Sequence, residues 1–230
     1  MNETLFQAAA LIVPLIFAIV FHEVAHGLTA RALGDPTAAQ LKRLSLNPLR
    51  HVDPFGTVIL PGLLKLTGLP VFGWAKPVPV VKERLRNPRR DMMIVAAAGP
   101  GSNLILAAIG ATLLGLLLGS YQLADEPSLL ARFAALNLVN FVTINVFLAF
   151  FNLLPIPPFD GGHIVEGLLP RPLARKWAAM HGKALLVMIL LLVVLPWLSP
   201  SLNVVSWLVV PPVDWLTGKY MSIAAAVAGG

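Results

Sequence analysis

Four stretches without a single Asp, Glu, Lys or Arg, at 4–21, 92–124, 133–159 and 184–213, constrain this 230-residue chain more than any other feature. About 20 apolar residues are enough for a helix to cross a bilayer. Composition agrees: 57% of residues are hydrophobic and 12% charged, with a mean hydropathy of +0.79, against about 25% charged in soluble domains. The last two stretches carry prolines and polar breaks, so each is expected to hold a span plus a re-entrant or interfacial piece. The expectation is an α-helical integral membrane bundle of about four to six membrane segments, with a small membrane-associated β/loop insertion. At this length it forms one membrane-embedded domain over 1–230, with no room for a separate soluble one. Cysteine is absent, which excludes disulfides and thiolate chemistry.

The net charge of +6 could suggest a nucleic-acid partner, but the positions of the charges argue against one. Eleven of the 17 Lys and Arg residues lie within 31–90 and four more within 171–183. The positive-inside rule therefore places both regions in the cytoplasm and the 120–132 loop, with Asp125 and Glu126, outside. The first span then runs inward and is read as retained, because it lacks the basic start and small-residue cleavage site of a signal peptide. The expected location is a prokaryotic inner or plasma membrane.

That first span ends in His22-Glu23-Val24-Ala25-His26. Histidines four apart face one side of a helix. Such a pair can bind one Zn²⁺, and the intervening Glu23 can serve as general base. An ionisable cluster at membrane depth is costly and signals function. The helix is expected to continue to about residue 33, where Gly34-Asp35-Pro36 stops it, making 4–33 the first core span. Residues 37–82 hold short apolar runs punctuated by prolines, among them Pro70, and read as re-entrant strand-and-loop material with exposed edges. Further core spans are expected at 92–120 and 133–160, and C-terminal membrane segments at 184–216. The small apolar end, 223–230, is expected to fray.

A catalytic zinc site needs a third protein ligand and an open position. The candidates are the remaining histidines and the isolated acids. Asp160 stands out, because it follows the helix-breaking Pro155, Pro157 and Pro158 at the depth of the histidine pair. Asn152, just before that break, could orient a substrate strand.

His22-Glu-x-x-His26 together with Asn152-x-x-Pro155-x-x-x-x-Asp160-Gly-Gly resembles the site-2 protease family of intramembrane zinc metalloproteases. Ala98-Gly99-Pro100-Gly101-Ser102-Asn103 resembles a further family motif. His51-Val-Asp-Pro54-Phe-Gly56 and Phe72-Gly-Trp-Ala-Lys-Pro77-Val-Pro79 resemble the family's compact branch. These motifs cover most of 15–170 in family order. The resemblance implies His22, His26 and Asp160 as zinc ligands, Glu23 as catalytic acid/base, Asn152 acting near the scissile bond, and a membrane-associated sheet in 40–82. It also implies transmembrane proteins as substrates, cut by regulated intramembrane proteolysis. No segment suits a PDZ or CBS domain, so selection by such domains is not expected.

Other polar residues have quieter readings. His51 and Asp53 are expected to cap turns, with Asp53 also able to support a metal ligand from behind. His163 either supports a ligand in that way or serves a helix start. Asn103 and Asn140 hydrogen-bond within the bundle, with Asn103 also able to face the site. The alternative to a protease is a non-proteolytic membrane zinc-binding protein or a scaffold that captures transmembrane helices. Glu23 argues against it, since a carrier needs no base between two ligands.

Overall fold

The structure, a computed structural model, describes residues 3–68, 73–121 and 128–229. Asp125 and Glu126 of the 120–132 loop, and Pro70 and Phe72 of the proline-rich region, lie outside those residues. The described chain is helical, and three helices are long and apolar enough to cross a membrane. These are α1 (Glu3–Ala32), α4 (Pro88–Tyr121) and α5 (Leu129–Asn152). Between α1 and α4 lie the short α2 (Thr37–Gln40) and α3 (Leu60–Thr67), the latter preceded by a wide turn at Pro54–Ile59. After α5 come α6 (Asp160–Leu168), α7 (Arg171–Ala178), α8 (Ala184–Ile189), α9 (Leu195–Leu198), α10 (Val204–Leu208) and α11 (Val210–Val227).

The three spans pack on one another, α6 packs on α4, and α11 lies against α4 and α5. The core between them is small and branched: Ala107 and Ala111 of α4, Val142 and Val146 of α5, and Val209 and Val213 at the start of α11 are buried. Small residues let helix backbones approach closely, which is how helices associate where lipid is as apolar as the side chains. Asn140 fastens α5 to α1 by donating to Ala10 O (2.9 Å), the bundle role expected of it. Outward faces of the spans stay apolar, as with Phe17, Ile105 and Leu116.

Two expectations need correction. The first concerns 37–82, where no strand forms among the described residues. Residues 73–81 are extended, but Pro77 and Pro79 have no N–H to offer a ladder. Four of the remaining amides find single partners instead: Trp74 N donates to Gly56 O (3.1 Å), Lys76 N to His51 O (2.8 Å), Val78 N to Glu23 Oε2 (2.6 Å) and Val81 N to Asp35 Oδ2 (2.6 Å). The segment is a strap tied to α1 and its following loop. The second concerns the C-terminus, where 223–230 was expected to fray. Helix α11 instead runs to Val227, because Gly115 of α4 leaves the space that Ala224 O and Val227 occupy. Residues Ala184–Leu198 form one helical stretch, and at 1.5 Å per residue it reaches only about 22 Å, short of the ~30 Å hydrocarbon core.

Helix α1 stops where expected. Gly34 takes a positive φ of 114°, and Asp35 N bonds back to Ala30 O (2.9 Å). Asp35 then does more than turn the chain. Fully buried, it accepts from Thr37 N (3.0 Å) and the Thr37 hydroxyl at one oxygen and from Val81 N at the other. Burial alone would raise its pKa, but these bonds and the nearby Arg84 outweigh that and hold the carboxyl below the usual range.

Asp35→Ala orphans buried donors and is expected to cost about 1–3 kcal/mol. It should lower the thermal midpoint in detergent, with Asp35→Asn losing less. The stabilising charge is complete above the ordinary Asp value of about 3.9 and is lost only as pH falls through the depressed folded value. An unchanged midpoint for Asp35→Ala would show that the strap is held by other contacts.

Candidate metal centre

Near the end of α1, His22 and His26 are buried on one face, and their Nε2 atoms lie 3.0 Å apart. Asp160, the first residue of α6, brings Oδ2 to 3.2 Å from His22 Nε2 and 3.3 Å from His26 Nε2. A tetrahedral zinc ion with ligands at about 2.0–2.1 Å has ligand–ligand edges of about 3.3 Å. The three observed separations are those of one face of such a tetrahedron.

The protonation pattern supports the same conclusion. His26 Nδ1 lies 2.7 Å from Val95 O, an obligatory acceptor, so Nδ1 carries the proton. His22 Nδ1 lies 2.6 Å from Asn103 Oδ1. The orientation of Asn103 is fixed because its Nδ2 donates to Ala18 O (3.2 Å) and to Asn145 Oδ1 (2.7 Å). Asn145 in turn donates to Phe141 O (2.8 Å). As neutral imidazoles both histidines then present Nε2 lone pairs, and these face a buried carboxylate oxygen, Asp160 Oδ2, that has no hydrogen-bond partner among the described residues. Three acceptors within 3.3 Å of one another repel unless a cation lies between them. The donor set fits zinc, and the Nδ1 bonds are of the kind that orient a histidine for a metal ion.

The surrounding elements set this geometry. Gly99 of α4 faces both imidazoles, and a Cβ there would overlap His26 Nε2 and His22 Cε1. Gly99 supplies the room and Asn103, one turn on, supplies the hydrogen bond. Asp160 is aimed by its neighbours: Phe159 is buried edge-on against Phe151 (4.8 Å), and Gly161 lets α6 start directly against the carbonyls of Leu153 and Leu154. Glu23 stands outside the three-residue cluster, with Oε2 held by Val78 N.

Of the residues singled out in the sequence, His22, His26 and Asp160 come together, with Glu23 adjoining. Asn152 closes α5 and gives its Nδ2 to Leu148 O (2.9 Å); none of its hydrogen bonds among the described residues reaches the cluster. Asp53 caps a turn by accepting from Gly56 N (2.7 Å), and buried His51 pairs with Ser45 O (2.8 Å). His163 faces Glu166 within α6 (3.8 Å). The structure adds Asn145, Val95 O and Val78 N. Only Asn145 gave any sequence signal, as a polar residue in an apolar span.

Residues 124–195 match the family described as Peptidase family M50. Over 185 residues the chain is 40% identical to YwhC of Bacillus subtilis (strain 168), a zinc metalloprotease by name, covering 80% of each chain. Over 199 residues it is 32% identical to Rip2 of Mycobacterium tuberculosis (strain H37Rv), also a zinc metalloprotease by name, covering 84% of this chain and 70% of the relative. No solved structure matches. The chain belongs to peptidase family M50, the site-2 protease family. It is an intramembrane zinc metalloprotease with a helical membrane bundle.

Because a methyl group at residue 99 would collide with both histidines, Gly99→Ala is expected to cost the ~1–3 kcal/mol typical of over-packing. Gly101→Ala, where a Cβ meets open space, should be neutral or mildly stabilising. Thermal midpoints of the two variants in detergent separate these outcomes; equal midpoints would remove Gly99 from the account.

Proposed function

We propose that His22, His26 and Asp160 hold the catalytic zinc and that Glu23 is the general acid/base. The observation that carries this reading is the triangle of buried acceptors, each oriented by its own neighbours, with a carboxylate beside it that is not part of it. When bound, zinc acidifies a water and polarises a carbonyl oxygen. The protein's own groups do the rest. Glu23 takes the proton of the attacking water and later gives it to the leaving amine. With Oε2 held by the Val78 amide, Oε1 is the oxygen left for that transfer. Asn103 and Val95 O keep the imidazoles in the tautomer that leaves Nε2 free. Asn152 is kept as a residue assisting near the scissile bond through its Oδ1.

The substrates are proposed to be transmembrane segments of other membrane proteins. Their carbonyls are hidden in i→i−4 bonds, so the target must unwind locally before attack. The strap at 73–81 touches Glu23 and is extended, which suits it to lie beside an unwound chain. The cluster is assigned to the cytoplasmic side, on the distribution of basic residues.

Glu23→Gln should lower cleavage of single-span peptides by at least the ~10²–10⁴-fold of general acid–base catalysis, with zinc retained. Asp160→Ala should lose most zinc, whereas Asp53→Ala and His163→Ala keep it, and Asn103→Ala should weaken zinc binding about 10–100-fold. Zinc loss in Glu23→Gln equal to that in His22→Ala would make Glu23 a ligand and overturn the assignment. The orientation can be read separately, since the chain has no native cysteine. Ser128→Cys should label only from outside, and labelling only from the cytoplasm would invert the topology.

A further inference from the structure

We propose that the cleft between the start of α4 and helices α6 and α7 binds the phosphate-bearing headgroup of an anionic phospholipid. The cleft has a volume of about 200 Å³ and is lined by Lys82, Arg89, Arg171 and Arg175, with one carboxylate, Glu166. Glu166 is buried and already engaged by the Lys82 ammonium. Arg89 commits only Nε, to Glu166 O (3.3 Å). Arg171 and Arg175 make no hydrogen bond or ion pair among the described residues, although they sit one turn apart on α7, where like charges repel. Four cations therefore share one carboxylate, and the cleft, with Arg171 and Arg175 exposed at its edge, keeps a net positive charge that suits an incoming anion.

The position and the neighbours favour a lipid as its source. Arg89 lies in the first turn of a membrane-spanning helix, at the depth where headgroups lie. Leu168 at the end of α6 and Leu173 on α7 are exposed beside the cleft, at 71% and 50%, and offer apolar contact to acyl chains. Arginine forks match phosphate oxygens in pairs, and basic pockets between membrane helices hold anionic headgroups. Helix α7 is itself anchored to the α6 turn, with Trp177 Nε1 donating to Gly162 O (3.0 Å), two residues from Asp160. A bound headgroup would thus brace the short helix that begins with the third member of the metal cluster. The proposal does not depend on the catalytic roles assigned above.

The test uses the full-length protein in neutral detergent, with native mass spectrometry for bound lipid and thermal midpoints as a second readout. The probes are phosphatidylglycerol, phosphatidylcholine and inorganic phosphate. Phosphatidylglycerol should bind and raise the midpoint, phosphatidylcholine should not, and inorganic phosphate should act only far more weakly. Arg171→Gln with Arg175→Gln should weaken phosphatidylglycerol binding at least about tenfold, the effect of losing a charge-assisted bond of roughly 1.4 kcal/mol. Lys176→Gln with Lys183→Gln removes equal charge from the same region outside the cleft and should leave binding intact. Equal loss in both double variants would reduce the effect to general surface charge and overturn the site. An equal response to phosphatidylcholine, or to inorganic phosphate at matching concentration, would overturn the lipid assignment.

Discussion

The mutual repulsion of three buried acceptors organises this molecule. Two imidazole nitrogens and a carboxylate oxygen point at one another where little water can screen them, and only a cation makes that arrangement stable. The rest of the bundle keeps these groups from turning away. His26 is pinned by a backbone carbonyl of α4, and His22 by an amide of the same helix. That amide is itself held by both neighbouring spans, through Ala18 O of α1 and Asn145 of α5. A polar chain thus crosses the three spans and is satisfied at each step. Interhelical hydrogen bonds of this kind average only about 0.6 kcal/mol each in membranes, so their main effect here is to set orientation.

The strap at 73–81 answers a second problem, how to place irregular backbone beside a site in an apolar setting. Such backbone is tolerated at membrane depth only against protein or a wet cavity. Two of its amides are taken up by the side chains of Glu23 and Asp35, and two by the backbone carbonyls of His51 and Gly56. The carboxylate assigned to proton transfer is therefore also a fastening point for the polypeptide nearest to it. Proline removes donors that would otherwise need partners, and this economy also keeps the segment from becoming a strand.

Much of this was legible from residues alone, for identifiable reasons. The spans announce themselves because uncharged runs have few other uses, and the histidine pair because a spacing of four has one meaning on a helix. Asp160 stands out by its depth and the prolines before it, but its role as third ligand came from the family resemblance, since nothing local says that a residue after three prolines returns to the first helix. The Gly99–Asn103 pairing was only half visible: the motif was noticed, but which histidine it serves depends on how α1 and α4 rotate against each other. No strand forms in the described part of 37–82, where short apolar runs and prolines report extended backbone but not whether a partner exists. The firm α11 terminus was missed because the groove that receives it is made by Gly115, far away in sequence. Asp35 read as a turn residue because its partner Val81 lies across the strap.

The order in which the chain is made gives the cluster a temporal character. His22 and His26 enter the membrane with the first span, while Asp160 follows the third span and the turn at 153–159. During synthesis, at roughly 5–20 residues per second, the nascent protein exposes a two-histidine half-site for roughly 7–27 s before the acid arrives. If these three residues are the ligands, as proposed, a complete centre assembles only in a chain whose three spans have all inserted and packed. On the proposed ligand assignment, the fold in this way delays metal capture until translation of the core is nearly finished.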